Sequence, residues 1–101
     1  MTVTADFTGA HLLHVAVAGC VLNDVYREAG ALGIRVDGVR VTASGDFDTR
    51  TWASTGITYH VELRSPTPAD ELDRLLERVD EVAEIPRTLR AGAPVRRADL
   101  P

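Results

Sequence analysis

The stretch Gly9-Ala10-His11-Leu12-Leu13-His14-Val15-Ala16-Val17-Ala18-Gly19-Cys20 decides the fold of this chain. It is rich in leucine, valine and alanine, and the sequence becomes polar only after Asn23, so it predicts a mostly buried helix over about residues 9–29. Gly30 follows as the expected C-terminal stop of that helix. Because the helix is apolar on nearly every face, it needs cover from more than one side. In a domain this small, a second subunit is the expected source of that cover.

Two segments downstream alternate apolar and polar residues with the period of a β-strand. Val39 to Ala43 form the first and Ile57 to Leu63 the second, which predicts two half-buried strands with one face on the helix. The polar residues from Gly45 to Gly56 predict a long hairpin connection. Two strands alone make a marginal sheet, so we expect further pairing with a C-terminal strand or with a partner subunit. Residues Thr2 to Thr8 predict a short strand or an extended arm.

A second helix is predicted with defined ends. Thr67 is the expected N-cap, Pro68 the first helical residue, and Asp70 completes a capping pattern with Thr67. Pro86 is expected to end any helix, and Pro94-Val95 to begin a short final strand. Apolar residues at helical spacing form a single stripe that predicts the buried face: Leu72, Leu75, Leu76, Val79 and Val82.

Length and composition limit the class of protein. A chain of 101 residues with 45% hydrophobic and 26% charged residues is typical of one ordinary globular domain. A net charge of -4 argues against a nucleic-acid-binding surface. Cys20 is the only cysteine, which excludes an internal disulfide and a cysteine-based zinc site. Nothing near Met1 resembles a signal peptide, and the apolar run from Leu12 to Leu22 is too short to span a membrane, so a cytoplasmic protein is expected.

The Ala-Gly-Cys helix is followed far downstream by the segment Ala83-Glu84-Ile85-Pro86-Arg87-Thr88-Leu89-Arg90-Ala91-Gly92-Ala93-Pro94-Val95. In this order, and with Asp37-Gly38-Val39 between them, the two stretches resemble the OsmC/Ohr family of thiol peroxidases. The resemblance covers about residues 9–97. It implies an α+β fold with a buried central helix packed on a small antiparallel sheet, a second amphipathic helix and an intertwined homodimer. Residues 1–101 would then form a single truncated OsmC-like domain.

Three elements of the family's peroxidase site are replaced or missing in this sequence. Ile85 stands where the family has its second cysteine, and Ala10 stands where it has a glutamate. That glutamate pairs in the family with an arginine that stabilises the thiolate, and no arginine precedes Cys20 here. We therefore expect a divergent protein that has lost two-cysteine peroxidase activity and binds or acts on a small apolar organic molecule in a dimer-interface pocket. The alternative is a single-cysteine organic hydroperoxide reductase that uses Cys20 in oxidative-stress defence.

Cys20 is the candidate catalytic residue, and the sequence supports two interpretations of it. A reactive cysteine needs a nearby cation, a helix N-terminus or strong hydrogen-bond donors to favour the thiolate. Cys20 instead shares a helix face with apolar Leu13 and Val17 and precedes Asp24 by one turn. Apolar surroundings and a nearby carboxylate both disfavour the thiolate. Cys20 is therefore either a reactive thiol or a small core residue that packs like alanine.

His11 and His14 are candidate binding residues, because their spacing of three places both on one helix face. Two such histidines could begin a metal site or supply an acid or base to a bound organic molecule. No HExxH pattern or cysteine pair supplies further ligands, so we expect no metal and no cofactor. The simpler interpretation places both at the partly exposed start of the helix, lining a pocket.

Trp52 and Arg87 complete the candidate binding residues. Trp52 lies in the predicted hairpin connection, where it is either a ligand lid or dimer contact or, like many single tryptophans, a buried loop anchor. Arg87 belongs to the segment that the family resemblance brings to the cysteine region. It is therefore the first candidate for a cation near Cys20, and Arg90 is the second, although both could equally be surface charges. His60 lies on the polar face of the second strand and is expected to be solvated or paired across the strands.

Overall fold

The structure is a computed structural model that describes residues 1–4 and 8–101. Two strands form one antiparallel hairpin, and three helices complete the fold, which confirms the predicted α+β class. In chain order the elements are α1 (Gly9–Leu32), β1 (Gly38–Phe47), β2 (Ser54–Arg64), α2 (Ala69–Val82) and α3 (Glu84–Ala91).

Both ends of α1 are formed by residues whose chemistry suits a helix terminus. The Thr8 hydroxyl accepts a hydrogen bond from the backbone N–H of His11 at 3.2 Å, which makes Thr8 the N-cap. At the other end Gly33 adopts a left-handed backbone, with φ 68°, and its N–H bonds to the carbonyls of Ala29 and Gly30. The prediction that Gly30 stops the helix is therefore wrong. A glycine is tolerated within a packed helix, and only Gly33 takes the left-handed conformation that ends one.

The hairpin register places the predicted apolar positions of β1 and β2 opposite one another. Val41 faces Val61 across the ladder, for example. Both strands extend into the predicted Gly45–Gly56 connection, which shortens to residues 48–53. The strands come very close at this end, because a Cβ on Gly45 would lie 2.4 Å from the carbonyl oxygen of Gly56. A residue without a side chain is therefore required there.

The core lies between one face of α1, the apolar face of the hairpin and α2. Because α1 contacts both strands and both other helices, it is the central element of the fold. Inward residues of the strands, such as Val41 and Tyr59, are half-buried and pack on this core, while their neighbours along each strand are mostly exposed. The predicted packing of the first helix on the apolar face of the strands is confirmed. The buried hydrophobic residues are Val17, Val21, Val25, Ala29, Leu75, Val79 and Ala83.

The second helix confirms the predicted amphipathic segment but not its predicted cap. Pro68 lies at the N-cap position of α2 without a side-chain hydrogen bond, and the helix begins at Ala69. Pro68 keeps an extended backbone, with ψ 147°, so it does not join the helix as its first residue. Thr67 lies one residue too early to cap, and its own N–H bonds to the Ser65 hydroxyl at 3.2 Å. The acidic first turn, with Asp70, still suits the positive end of the helix dipole.

α3 contradicts the prediction that Pro86 ends any helix. Pro86 is buried in the first turn of α3. A proline there loses no hydrogen bond, because the first four N–H groups of a helix have no partner within it. The next N–H, that of Arg87, already bonds to the carbonyl of Ala83 at 3.1 Å. Pro86 therefore belongs to the beginning of a helix.

The termini add no strand to the sheet within the described residues. Residues 92–101 are exposed and have no regular secondary structure, and Val95 is 94% exposed. The predicted strand at Pro94-Val95 is therefore wrong, because no neighbouring strand pairs with its backbone. Residues 1–4 also lack regular structure, and residues 5–7 of the predicted N-terminal strand or arm lie outside the described residues. Pairing of the sheet with a partner subunit stays a prediction.

Candidate functional site

Cys20 lies near the middle of α1 with a free thiol and a half-buried side chain. It packs against the hydrophobic core around Val21 and Val25. Because a helix turns by about 100° per residue, Cys20 falls at the border between the buried face, centred on Val21, and the opposite face. The thiol is therefore neither a fully buried core atom nor an open surface group.

The opposite face of α1, named here the outer face, is apolar and only partly covered. Its residues repeat at intervals of three and four, and they are Leu12, Val15, Gly19, Leu22 and Tyr26. Leu12 is 49% exposed and Tyr26 is 50% exposed. Space is open around Gly19 as well, because a Cβ there would meet nothing within 4 Å beyond the local helix backbone. A continuous apolar face of this kind marks a site of interaction.

A buried carboxylate lies one turn after Cys20. Asp24 is 2% exposed, and its Oδ1 accepts a hydrogen bond from the side-chain amide of Asn23 at 3.3 Å. Its Oδ2 has no hydrogen bond from the described residues, but the guanidinium of Arg27 lies 3.1 Å away, at an ion-pair distance. Sequence reasoning missed Arg27 as a cation in this part of α1. The sequence feature that could have predicted this pair is an acidic and a basic residue three positions apart on one helix.

The two arginines that were candidates for a cation near Cys20 have different surroundings. Arg90 Nη2 lies 2.6 Å from Asp80 Oδ1, and its Nη1 donates to the backbone carbonyl of Asp80 at 3.0 Å. The guanidinium of Arg90 is therefore engaged by α2. Arg87 is exposed on α3, the helix that contacts α1. A role for Arg87 beside Cys20 stays a prediction.

His11 and His14 lie side by side on α1 but have different neighbours. Their rings meet edge to face, with centroids 6.3 Å apart. His11 is exposed, and its Nδ1 lies 2.5 Å from the Thr8 hydroxyl. His14 stacks on Phe47 with a centroid distance of 6.3 Å, and its Nε2 is buried beside Gly45 without a hydrogen bond from the described residues. His11 therefore faces solvent while His14 is held against the hairpin, and their role at a pocket stays a prediction.

Trp52 is 72% exposed, so the expectation of a buried loop anchor is wrong. Its backbone is left-handed, with φ 61°, in the connection between β1 and β2. The Asp48 carboxylate shapes this turn by accepting the backbone N–H groups of Thr51 and Arg50, at 2.8 and 2.7 Å. These two hydrogen bonds hold the pKa of Asp48 below its usual value. An exposed tryptophan on a defined turn is available to cover a ligand or a partner, and that role stays a prediction.

A hydrogen-bonded cluster that sequence reasoning missed joins β2, α2 and α3. The Tyr59 hydroxyl donates to Asp80 Oδ1, and Arg90 bonds to the same oxygen. Burial, followed by the hydrogen bond to Asp80, raises the pKa of Tyr59 to about 12. The hydrogen bond from Tyr59, supported by Arg90, lowers the pKa of Asp80. The sequence pattern assigns Asp80 to the polar face of its helix, and only the docking of α2 on β2 brings it to Tyr59.

The raised pKa of Tyr59 gives a testable pH dependence. Its folded pKa of about 12 exceeds the ~10 of free tyrosine, so its stabilising effect is fully present below pH ~10 and is lost as the pH rises to about 12. In a Tyr26→Phe variant, Tyr59 is the one remaining tyrosine. We expect its tyrosinate absorbance to appear about two pH units later in the folded protein than in urea. Equal titration midpoints in both states would contradict this assignment.

An open groove of about 480 Å³ lies between β2 and α2, beside this cluster. Its apolar lining includes Val21 from α1 and Val79 from α2, and Tyr59 and Asp80 supply polar groups. Cys20 does not line the groove, although its neighbour Val21 does. The groove therefore lies on the buried side of α1, away from the outer face.

Metal-binding and membrane-spanning features are both absent from the described residues, 1–4 and 8–101. No group of three or more His, Cys, Asp or Glu side chains in this part of the chain is placed to hold a metal ion. None of its helices is long and apolar enough to cross a membrane.

A comparison with known protein families finds one match that covers most of the chain. A family model described as OsmC-like protein matches residues 4–97. The matched range contains the Cys20 helix, the hairpin and both later helices. No curated protein sequence matches the chain.

Three solved structures show the same fold. The OsmC like protein from Mycoplasma pneumoniae has a TM-score of 0.78 at 21% identity, over 86% of this chain and 64% of that protein. An osmC-like hydroperoxide resistance protein from Jannaschia sp. CCS1 has a TM-score of 0.72 at 18% identity, over 89% of this chain and 64% of that protein. The organic hydroperoxide resistance protein OsmC from Legionella pneumophila has a TM-score of 0.72 at 18% identity, over 82% and 61%. The chain thus spans less than two thirds of these relatives, and at such identities the similarity shows the fold alone.

Proposed function

This chain belongs to the OsmC-like protein family, and from that premise we propose that it has lost two-cysteine peroxidase activity and binds or acts on a small apolar organic molecule. The binding pocket forms where the outer faces of α1 from two copies of the chain meet. One observation carries the proposal: the continuous, partly exposed apolar outer face, with Cys20 at its border. Apolar walls with few polar groups suit an organic molecule.

The proposed loss of the two-cysteine cycle rests on the replacement of the second thiol. Residues 1–101 contain one cysteine, and position 85 is isoleucine. An oxidised Cys20 therefore has no second thiol among these residues with which to form a disulfide. Ile85 is half-buried in α3, a helix that contacts α1. It adds an apolar side chain where the resemblance to the family predicts a thiol.

The centre of the proposed pocket is a gap between the α1 helices of the two copies. Gly19 contributes no side chain, and the space around it is open. Cys20 lies beside that gap, and exposed His11 lies toward its N-terminal mouth, where an imidazole serves as acid or base for a bound molecule. His14 is the second binding candidate on the same helix. Trp52 and Arg87, both exposed, are proposed as further contacts with the ligand or with the partner copy.

A second candidate function is a single-cysteine organic hydroperoxide reductase, since two of the structural relatives are hydroperoxide resistance proteins. The observation that favours it is the free thiol of Cys20, which is only half-buried on α1. In this reaction the Cys20 thiolate attacks the terminal oxygen of the hydroperoxide, and the O–O bond breaks. The alkoxide takes a proton and leaves as an alcohol, and the sulfur becomes a sulfenic acid. Two equivalents of an external thiol then restore the Cys20 thiol, releasing water and a disulfide.

The remaining parts of the proposal concern location and partners. We propose that the protein works in the cytoplasm, because a lone free thiol is typical of a reducing compartment. A net charge of -4 supports a role without nucleic acid. The proposed partners are a second copy of the chain and a small apolar organic molecule or hydroperoxide.

Hydroperoxide consumption separates the two candidate functions. With cumene hydroperoxide and a dithiol reductant, we expect the wild-type chain to consume peroxide no faster than Cys20→Ser, because the proposed function does not use Cys20 to reduce peroxide. A matched run replaces the dithiol with excess monothiol, since either reductant can restore a lone cysteine from its sulfenic acid without a second thiol in the protein. Rapid turnover with either reductant that Cys20→Ser abolishes would establish the reductase and overturn the first candidate. Equal, slow consumption by both proteins with both reductants would contradict the reductase.

A further inference from the structure

We propose that the groove between β2 and α2 binds a small organic molecule with an apolar body and one hydrogen-bond donor group, a hydroxyl or an ammonium. This site is separate from the pocket proposed at the outer face of α1, and it goes beyond the proposed function. Its volume of about 480 Å³ falls in the range of small-molecule sites, about 300–1,000 Å³. The groove has an apolar floor beside a small polar cluster. The floor suits an apolar body in the ligand, and the cluster suits one polar group that hydrogen-bonds to it.

The floor of the groove is built by three elements that pack together. Val21 reaches it from α1, Val61 from β2, and Leu76 and Val79 from α2. Val21 and Val79 also belong to the buried core, so this floor is part of the packed interior. Val61 and Leu76 are only half-buried, so an apolar body lying on them would remove hydrocarbon from water on both partners, which is the main driving force for such binding.

Tyr59 and Asp80, which line the groove together with Thr58 and His60, present hydrogen-bond acceptors. The Tyr59 hydroxyl proton is committed to Asp80 Oδ1, and Arg90 donates to the same oxygen. The Tyr59 oxygen also interacts with the Arg90 guanidinium, which leaves it one lone pair. None of the hydrogen bonds of Asp80 among the described residues uses Oδ2. A carboxylate is acceptor-only when ionised, and the lowered pKa of Asp80 keeps it in that form. A ligand complementary to Tyr59 and Asp80 therefore supplies the donor.

Arg90 holds this acceptor pair in place before a ligand arrives. Its guanidinium bonds to both the side chain and the backbone carbonyl of Asp80, at 2.6 and 3.0 Å. The same ion pair offsets part of the charge on Asp80, so a neutral hydroxyl is accommodated as well as an ammonium. The unpaired edge of β2 beside the groove could also receive a strand from another chain, and the experiment distinguishes that occupant.

Amide chemical-shift titration with three ligands of matched shape tests the proposal: cyclohexylmethylamine, cyclohexylmethanol and cyclohexanecarboxylate. We expect the amine and the alcohol to shift the backbone amides of residues 57–61 and 76–80 saturably. The carboxylate is expected to bind at least about tenfold more weakly, because it brings like charge and no donor. The ratio of the amine and alcohol affinities identifies which donor the groove prefers.

Asp80→Asn is the deciding variant, because it preserves the shape of the side chain while adding an amide donor. It is expected to weaken amine binding by about tenfold and to strengthen carboxylate binding, a reversal that a merely structural role would not produce. Asp73→Asn, at an exposed position of the same helix, is the matched control and should leave all three affinities unchanged. Tyr59→Phe removes one acceptor with little change of shape and should weaken the amine and the alcohol alike.

Three results would overturn the proposal. One is equal binding of the carboxylate and the amine by the wild-type protein. Another is a set of ligand-induced shifts that maps away from β2 and α2. The third is a change in the chemical shifts of residues 57–61 that depends on protein concentration and not on ligand concentration. Such a change would assign the groove to a second copy of the chain.

Discussion

Replacing Leu75 by alanine is expected to lower the free energy of unfolding by about 2–5 kcal/mol. Leu75 is fully buried in α2, in the same core cluster as Val21 and Val25 of α1. Truncation removes its buried methyl groups and leaves a cavity between two helices whose backbones are held by other contacts. Such a loss is a large share of the stability of a small domain, typically about 5–15 kcal/mol in total.

Urea unfolding followed by circular dichroism measures this loss. All variants should be compared at one protein concentration, because self-association would add to the apparent stability. Leu32→Ala is the matched control, since Leu32 is 58% exposed at the end of α1, and it should change stability by less than about 0.5 kcal/mol. If Leu75→Ala costs no more than this control, Leu75 is not at the centre of the core.

Replacing Gly19 by glutamate is expected to convert a homodimer into a folded monomer. The proposed dimer buries the outer face of α1, and Gly19 lies at the middle of that face. A Cβ at position 19 meets nothing within 4 Å beyond the local helix backbone, so the new side chain fits within its own chain. In the interface it would place an unpaired carboxylate among apolar groups, at a cost of about 3–5 kcal/mol. That corresponds to more than a hundredfold increase in the dissociation constant of the dimer.

Analytical ultracentrifugation at micromolar concentration measures the oligomeric state, and circular dichroism verifies that each variant is folded. Ala31→Glu is the matched control, because Ala31 is an exposed small residue of the same helix that lies off the outer face. It should leave the dimer intact. A wild-type chain that sediments as a stable folded monomer would refute the proposed interface, and so would a Gly19→Glu variant that stays dimeric.

The sequence by itself determined the elements whose signal is a repeating local pattern. Alternation specifies which face of each strand is buried, and the apolar stripe that contains Leu75 and Val79 does the same for α2. Both patterns survive in the structure because they reflect how each segment separates its own apolar and polar side chains. The order of the motifs also indicated the family that the comparison with residues 4–97 establishes.

Predictions from single residues were less reliable, because the same residue type is compatible with two different positions in a helix. Gly30 is compatible with the interior of a helix as well as with its end, and Gly33 provides the left-handed cap. Pro86 is compatible with the first turn of a helix as well as with a stop. In both cases the backbone conformation, and so the helix boundary, depends on packing with the rest of the chain.

Only the tertiary structure decided which distant residues meet and what remains uncovered. Tyr59, Asp80 and Arg90 lie on three different elements, and no local pattern predicts that one carboxylate oxygen accepts hydrogen bonds from both of the others. The same holds for the position of Cys20 at the border of two helix faces, since β1, β2 and α2 cover one face, while the described residues cover the other only in part. Burial is a property of the neighbours that three-dimensional packing supplies, whereas periodicity is a property of the segment alone.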